Sequence, residues 1–206
     1  MFITFEGPDG SGKTYQLAIF SDYLKDKGYP VLSTREPGGT SIGDQIRDVL
    51  HDLNNTEMHP HTEILLYQAS RAQLVEQVIV PHLKSGGIIL CDRYSDSTLA
   101  YQGYGHKLNL KKLAALIDFA TRGLKPDLSL LLDVDVEEGL RRRARGGEWN
   151  RLDAYDLDFH QRVRQGYHEL IRQEPQRWVV VDAGQAPERV QADIRKFVME
   201  RLAKSG

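Results

Sequence analysis

The residues from Gly7 to Thr14 combine types and spacing that suit the binding of phosphate groups. They follow the pattern of a glycine, four variable residues and then Gly-Lys-Thr, with a strand-like run before them and a helical pattern after them. Glycines let the backbone point its N–H groups at an anion, and a helix N-terminus adds a favourable dipole. We therefore predict that Lys13 reaches the β- and γ-phosphates of a nucleoside triphosphate and that Thr14 binds Mg²⁺. A chance glycine-rich turn is the alternative, which the flanking elements disfavour. The predicted phosphate-binding residues are Gly7, Pro8, Asp9, Gly10, Ser11, Gly12, Lys13 and Thr14.

Asp9 is an unusual residue to find inside a phosphate-binding loop. A carboxylate ~4 Å from a phosphate charge is repelled by about 4 kcal/mol at an effective dielectric of about 20. Asp9 is therefore expected to face away from the triphosphate, or to accept a hydrogen bond from a sugar hydroxyl of a second substrate or from a metal-bound water. The plainer alternative is an aspartate that caps the loop.

Two further polar segments follow the second and third predicted strands. Arg35 stands where the chain leaves the second strand, ahead of a proline and two glycines, and its planar guanidinium matches a phosphate. Asp92 ends the apolar third strand, the position from which an acid holds Mg²⁺ directly or through water. Arg93, beside it, supplies a second phosphate-binding cation. The alternatives are a solvated Arg35 and an Asp92 that caps the next helix.

A third segment, residues 141–153, is rich in arginine and carries two glycines. Glycines can act as a hinge, and arginines can neutralise the charge that develops during phosphoryl transfer. The segment therefore predicts a lid over the phosphate loop. A solvated run of cations at a helix C-terminus, where positive charge is favoured, is the alternative, and Arg141 and Arg142 fit it.

The elements that must position these residues alternate between short apolar strands and helices. Continuous apolar strands indicate burial on both faces, so the pattern predicts a doubly wound α/β fold with a mostly parallel sheet, in which ligands bind at the carboxyl ends of the strands. Pro81 is expected to kink or divide the long third helix. The predicted strands are 2–5, 30–34, 87–91, 128–132 and 178–181, and the predicted helices are about 13–27, 43–53, 61–85, 110–121, 136–145, 155–174 and 187–203.

Length and composition limit the classes of protein that this chain can represent. It has 206 residues and a formal net charge of −2, which predicts one globular domain and gives no reason to expect a nucleic-acid or membrane partner. The single cysteine, Cys91, excludes an internal disulfide framework. The N-terminal residues do not lead us to expect a secretory leader, and there is no run of about 20 apolar residues, so a cytoplasmic location is expected.

The chain resembles the bacterial thymidylate kinases over essentially its whole length. The resemblance rests on FEGPDGSGKT at the start, TREPGGT after the second strand, ILLYQASRAQLV in the long helix and DRYSDSTLAYQG after the third strand, followed by KPDLSLLLDV and RRRARGGEWNRLD. This ordered set is far more specific than the phosphate loop alone. It implies a three-layer P-loop NTPase fold, a five-stranded parallel sheet flanked by helices, in one kinase domain over 1–206 with a lid at about 141–153.

The resemblance also implies a reaction and its site. The expected reaction transfers the γ-phosphoryl group of ATP to dTMP, giving dTDP and ADP on the route to dTTP, with Mg²⁺ as cofactor at Thr14 and Asp92. Arg35 and Arg93 would bind the acceptor phosphate, and the loop of Gln185 would lie near adenine. A homodimer through the long apolar-faced helices is also expected. The residues expected around the nucleoside are Tyr67 stacked on thymine, Arg71 bonded to the base, Thr98 and Gln102 beside the base, Tyr101 beside the sugar, and Asp9 on the 3′-hydroxyl or a metal-bound water.

The phosphate loop departs from that of some thymidylate kinases, which carry a basic residue in it. Here no cation precedes Lys13, so the catalytic arginine is expected from the lid, from among Arg143, Arg145 and Arg151. The nucleoside residues have structural alternatives: Tyr67 and Tyr101 as core aromatics, Gln102 as a turn residue and Arg71 as an ordinary exposed helix arginine. Two other functions stay open: an adenylate, guanylate or shikimate kinase, which the Tyr67–Arg71 pair disfavours, and a nucleotide-dependent switch, which the absence of an Asn-Lys-x-Asp motif disfavours.

Overall fold

A computed structural model of the protein describes residues 1–146 and 155–205. Its strands are β1 (Phe2–Glu6), β2 (Val31–Arg35), β3 (Ile88–Asp92), β4 (Leu128–Asp133) and β5 (Trp178–Asp182). They form one parallel sheet in the order β2-β3-β1-β4-β5. The three interior strands, β3, β1 and β4, are buried along nearly their whole length, as their mostly apolar sequences predict. The predicted five-stranded parallel sheet is therefore confirmed.

Helices cover both faces of this sheet and give the fold its three layers. Several of them begin at a side chain that accepts a hydrogen bond from the first turn, among them Thr40, Asn109, Asp135 and Asp156. The helices are α1 (Lys13–Asp26), α2 (Ser41–His51), α3 (Pro60–Leu74), α4 (Val80–Lys84), α5 (Ser95–Thr98), α6 (Leu110–Thr121), α7 (Val136–Arg145), α8 (Leu157–Gln173) and α9 (Pro187–Ser205).

The hydrophobic core is divided by the sheet. On one face, α1 and α9 pack Phe20 and Ile194 against strand residues such as Phe5. On the other face, α8 packs with the chain around Tyr101, while the end of α3 packs Leu74 against β1 and β3. This burial of apolar side chains on both faces fixes the sheet whose carboxyl edge carries the site.

The predicted long helix over 61–85 is a continuous helical rod with a change of pitch. A π-helical segment, Val75–Ile79, joins α3 to α4, and Pro81 lies in the first turn of α4. Proline lacks the amide hydrogen that a continuing α-helix requires, and its ring crowds the preceding turn. The wider π-helical turn accommodates Pro81, so the expected interruption at this proline takes the form of a π-helical segment.

The segment 95–105 is helical, although the sequence pattern assigned no element there. The short helix α5 continues into a second π-helical segment, Leu99–Gly105, whose residues are mostly buried. Its polar residues and two glycines conceal any apolar periodicity. Gly105 lies where a Cβ atom would meet the ring of Phe159, and a Cβ at Gly103 would meet Leu110, so the glycines allow close packing.

The strand register brings the expected site residues together at one edge. Arg35 and Phe5 both pair with Asp92, so the carboxyl ends of β1, β2 and β3 are level. The loop that begins at Gly7 therefore emerges beside Asp92 and Arg93.

Candidate active site

The phosphate loop is held in a curved conformation by its glycines. Gly7, Gly10 and Gly12 have φ values of 140°, 74° and 82°, in the region that side-chain-bearing residues rarely adopt. A Cβ atom at Gly10 would collide with the backbone of Gly139 in α7. The loop therefore requires glycine both for its own turn and for its contact with the helix that leads into the predicted lid.

Lys13 lies inside this loop and binds its oxygen atoms. Its Nζ atom donates to the carbonyl oxygens of Gly7 (3.1 Å) and Pro8 (2.8 Å) and to Oγ of Ser11 (3.1 Å). Burial lowers the pKa of Lys13 to about 8, and the positive charge of Arg93 acts in the same direction. A phosphate group entering the loop would restore a strong anionic partner to this buried cation.

Thr14 and Asp92 meet where the first turn of α1 faces the end of β3. Oγ1 of Thr14 donates to Oδ2 of Asp92. A hydroxyl and a carboxylate are hard oxygen donors, which Mg²⁺ prefers when it also binds substrate phosphates. In the described residues no group of three or more His, Cys, Asp or Glu side chains could hold a metal by itself. The donor set therefore fits a Mg²⁺ ion that is shared with a nucleotide.

Asp9 pairs with Arg93, a contact that the sequence analysis did not foresee. Oδ1 of Asp9 accepts from Nη2 of Arg93 (2.7 Å), and Oδ2 accepts from the hydroxyl of Tyr101 (2.6 Å). Burial raises the pKa of Asp9, but Arg93 and Lys13 outweigh this effect and hold the pKa at about 2. The negative charge of Asp9 is therefore balanced by neighbouring cations, which explains how a carboxylate is tolerated in the loop.

Arg93 is fixed by both its backbone and its guanidinium. Its φ of 67° places it in the left-handed region, and its amide donates to the carbonyl oxygen of Phe5 (2.9 Å). Its Nη1 atom donates to the Gly7 carbonyl (3.0 Å) and to the hydroxyl of Tyr167 (3.2 Å). The second cation predicted after β3 therefore lies against the phosphate loop itself.

Arg71 is buried, in contrast to the usual exposure of helix arginines. It is 1% exposed, and its Nε and Nη2 atoms donate to Oε2 of Glu36 at 2.8 and 2.6 Å. Burial lowers the pKa of Arg71, but the charge of Glu36 more than offsets this, and the net direction is upward. Nη1 donates to Gln68 (2.9 Å) and Thr98 (3.1 Å), which aligns the guanidinium plane. The helix arginine is thus a rigid, charged wall of the cavity.

One cavity of about 1190 Å³ connects the phosphate loop with these residues. Arg35 lies at its rim, with its side chain 56% exposed and 3.4 Å from Asp44. Arg47, which the sequence analysis did not single out, also lines it and donates to the carbonyl oxygen of Pro37 (3.0 Å). The expected site residues that line the cavity are Asp9, Gly10, Gly12, Lys13, Thr14, Arg35, Tyr67, Arg71, Asp92, Arg93, Thr98, Tyr101, Gln102 and Arg143.

The arginines of the predicted lid differ in their positions. Arg143 lines the cavity, and its charge helps to hold the pKa of Asp9 low, whereas Arg145 is exposed and is not among the described lining residues. Arg151 lies outside the described residues. Arg142 also lines the cavity and donates to the carbonyl oxygen of Ala183 (2.9 Å). It is therefore a held side chain, which does not fit the alternative of a purely solvated cation.

Gln185 lies on the loop after β5, where the sequence analysis expected adenine. Its amide donates to the carbonyl oxygen of Asp182 (3.2 Å) and to the carboxylate of Asp193 (3.3 Å). It is not among the described residues that line the cavity. Through Arg142 and Ala183, however, its loop is joined to the end of α7.

Comparison with known proteins places this arrangement in a family. The family model described as thymidylate kinase matches residues 5–194. This chain belongs to the thymidylate kinase family. It is 50% identical to a thymidylate kinase of Roseiflexus castenholzii (strain DSM 13941 / HLO8) over 98% of this chain and 94% of that protein, and 48% identical to one of Exiguobacterium sp. (strain ATCC BAA-1283 / AT1b) over 100% and 97%. The crystal structure of thymidylate kinase from Ehrlichia chaffeensis is similar, with a TM-score of 0.80, 32% identity and coverage of 97% of this chain and 98% of that one.

Membership of the thymidylate kinase family confirms the resemblance inferred from the six sequence motifs, and the fold is the one that they imply. Among the helices in residues 1–146 and 155–205, none has both the length and the apolar character needed to cross a membrane.

The residues around the site that the sequence did not indicate in this thymidylate kinase family member are mainly buried acids. Glu6 and Glu36 are 0% and 5% exposed, and each bonds a segment that carries a cavity arginine. Both lie inside quoted motifs, but no local pattern distinguishes a buried glutamate from a solvated one. The available signal was their position at or just after a strand end.

Proposed function

We propose that this protein transfers the γ-phosphoryl group of ATP to dTMP, giving dTDP and ADP. The observation that carries the proposal is the pairing of Asp9 with Arg93, which joins a triphosphate loop to a second phosphate-binding cation within one cavity. A hydrolase or a switch needs the loop alone, whereas a kinase with a phosphate acceptor needs both. Membership of the thymidylate kinase family supports the choice of acceptor.

The acceptor half of the cavity suits a pyrimidine deoxynucleotide. Arg93 and Arg35 bind the acceptor phosphate, with Arg93 shared between that phosphate and Asp9. Tyr67 stacks on the base, which suits the apolar face of a ring. The remaining contacts are those of Arg71, Thr98 and Gln102 with the base, Tyr101 with the sugar, and Asp9 with the 3′-hydroxyl or a metal-bound water.

The donor half of the cavity binds and neutralises the triphosphate. Lys13 and the amides of residues 7–14 hold the phosphates. Thr14 and Asp92 would hold Mg²⁺, which would offset negative charge on the phosphates. Arg143, Arg145 and Arg151 supply positive charge from the segment 141–153, which acts as a lid on a single kinase domain. Closure of the lid excludes water and so limits ATP hydrolysis. The Gln185 loop borders adenine.

A steady-state assay of ADP release tests this function. With Mg-ATP, we expect dTMP to be phosphorylated with a kcat/KM at least tenfold above those of AMP and UMP, because the base and sugar contacts act on thymidine. No ADP above background with dTMP would overturn the proposal. Preference for AMP or UMP would instead identify another nucleotide kinase, and GTP binding with no acceptor turnover would identify a switch.

We also infer that the protein works as a homodimer in the cytoplasm. Phe119 in α6 is 85% exposed, and Leu65 in the adjacent α3 is 57% exposed, so an apolar surface remains uncovered there. Light scattering after size exclusion should give twice the mass of 23.4 kDa, and Phe119→Asp should give the monomer. A monomeric wild type would contradict the inference. The free, buried Cys91 is in keeping with a reducing compartment.

A further inference from the structure

Glu63 is a buried acid in the first turn of α3 that contacts a cavity-lining residue. It is 1% exposed, and its Oε1 atom accepts a hydrogen bond of 2.8 Å from Nε2 of Gln102, which is itself 2% exposed. Nε2 of His106 lies 3.8 Å from the same oxygen. An ionised carboxylate can only accept hydrogen bonds, so it requires the nitrogen end of the Gln102 amide to face it.

This contact determines which end of the Gln102 amide is available to a ligand. Gln102 lines the cavity beside Tyr67 and Arg71, whereas Glu63 is not among the described lining residues. With Nε2 committed to Glu63, Oε1 is the polar atom that Gln102 can present to the cavity. The nitrogens of the neighbouring Arg71 guanidinium already donate to protein acceptors, namely Glu36, Gln68, Thr98 and the Tyr94 carbonyl. The wall therefore offers one acceptor, Oε1 of Gln102, in a fixed position.

Pyrimidine bases differ in the atoms that would meet such a wall. Thymine has a hydrogen on N3 and an acceptor at O4, whereas cytosine has an acceptor at N3 and an amino donor at position 4. An acceptor from Gln102 matches the N3 hydrogen of thymine and opposes the N3 acceptor of cytosine. A site that fixes its hydrogen-bonding groups in this way rejects the mismatched base strongly, because buried polar atoms are left unpaired.

We propose that Glu63 is a positioning residue that determines base specificity, by holding the Gln102 amide with Oε1 toward the cavity. It does so without touching the nucleotide. The proposal rests on the proposed function, since it assumes that the base lies against Tyr67, Arg71 and Gln102. It extends that function by assigning the choice between the two pyrimidine patterns to an acid behind the cavity wall.

The test is a competition between dTMP and 5-methyl-dCMP, which share the methyl group and differ in the pattern at N3 and position 4. Glu63→Gln replaces the acceptor-only carboxylate with an amide that can donate or accept, so the Gln102 amide can adopt either orientation. We expect the ratio of kcat/KM for dTMP to that for 5-methyl-dCMP to fall at least tenfold, about the worth of one hydrogen bond. Both products are measured in one reaction, so the ratio does not depend on the fraction of active enzyme.

Two variants separate positioning from a general structural effect. Glu63→Asp keeps an acceptor-only carboxylate, so the ratio should stay within about threefold of wild type even if kcat/KM falls. Glu76→Gln removes an exposed glutamate that pairs with Arg122 on the surface of the same helical rod, and the ratio should not change. If Glu63→Gln cannot be obtained folded, Glu63→Ser, whose hydroxyl also donates and accepts, should lower the ratio.

An unchanged ratio in Glu63→Gln, or an equal fall in Glu63→Asp, would overturn the proposal. Either result with an active wild type would leave the proposed function in place. A wild type that does not phosphorylate dTMP would instead overturn the function itself, so the two failures are distinguishable.

Discussion

Glu6 should make the stability of the protein depend on pH in a way that one substitution removes. It ends β1 directly before the phosphate loop and is 0% exposed. Its Oε1 atom accepts from the amide of Tyr94 (2.8 Å), and Oε2 accepts from the hydroxyls of Ser97 (2.6 Å) and Tyr167 (3.2 Å). Burial raises the pKa of Glu6 from 4.5 to about 7, and the charge of Asp96 adds to the rise.

Stability falls as pH rises because the folded protein keeps the Glu6 proton to a higher pH than the unfolded chain does. Below pH 4.5 both states hold the proton, and the stabilisation from the raised pKa is fully present. Between pH 4.5 and 7 the unfolded chain releases the proton first, so the free energy of unfolding falls by about 1.4 kcal/mol per pH unit. For these two pKa values the loss between pH 5 and pH 8 is about 2.5 kcal/mol.

Glu6→Gln removes the titration while preserving the contacts. The amide oxygen can accept from Tyr94, and the hydroxyls of Ser97 and Tyr167 can rotate to accept from the amide nitrogen. The free energy of unfolding of the variant, minus that of wild type, should therefore rise by about 2.5 kcal/mol from pH 5 to pH 8. Urea unfolding at both pH values, followed by fluorescence of the buried Trp178, measures this difference.

The comparison between variants cancels the other titrating groups, which are common to both proteins. Glu76→Gln, at an exposed surface pair, is the control for the loss of a carboxylate and should shift stability by less than about 1 kcal/mol. The reasoning is refuted if the free energy of unfolding of Glu6→Gln, minus that of wild type, is the same at the two pH values within about 0.5 kcal/mol, which is near the accuracy of such extrapolations.

Three further predictions concern the cavity wall and the lid. Glu36→Gln leaves the buried Arg71 guanidinium without its counter-charge and should lower the free energy of unfolding by about 3 kcal/mol. Urea unfolding measures this loss, and a loss under about 1 kcal/mol would contradict an ionised pair. Arg143→Ala should lower kcat at least tenfold, and Arg145→Ala should lower kcat less, because of these two only Arg143 is among the described residues that line the cavity. Steady-state ADP release measures both values of kcat. A larger fall in Arg145→Ala than in Arg143→Ala would reject this ranking. Gly139→Ala introduces a Cβ atom that collides with the phosphate loop, so it should raise the KM for ATP at least fivefold. Circular dichroism should show that the fold is retained. An unchanged KM would show that the loop can move aside without loss of ATP binding.

The sequence was sufficient for the parts of the site that depend on local pattern and on strand topology. The spacing of glycines with Lys13 defines the phosphate loop, and burial of the strands on both faces indicates a parallel sheet whose carboxyl ends are level. Arg35, Asp92 and Arg93 could therefore be assigned to one edge before any contact was known. The register, in which Arg35 pairs with Asp92, confirms that edge.

What the sequence could not predict depends on contacts between distant segments. The pairing of Asp9 with Arg93 joins residues 84 positions apart, and neither residue alone indicates it. The helix at 95–105 has no apolar periodicity, because Gly103 and Gly105 occupy the positions where its neighbours pack most closely. The secondary-structure propensities of single residues and the periodicity of apolar residues carry no information about such non-local packing.

The cavity depends on buried glutamates as much as on the residues that line it. Each of three glutamates holds a different part of the wall, and each is at most 5% exposed. Burying a carboxylate is costly unless it is hydrogen-bonded, so each glutamate in turn requires the partner that it holds. Substituting Arg71 or Gln102 should therefore remove a ligand contact and also leave Glu36 or Glu63 without its partner, which couples binding to stability at this site. The pairs are Glu6 with the amide of Tyr94, Glu36 with Arg71, and Glu63 with Gln102.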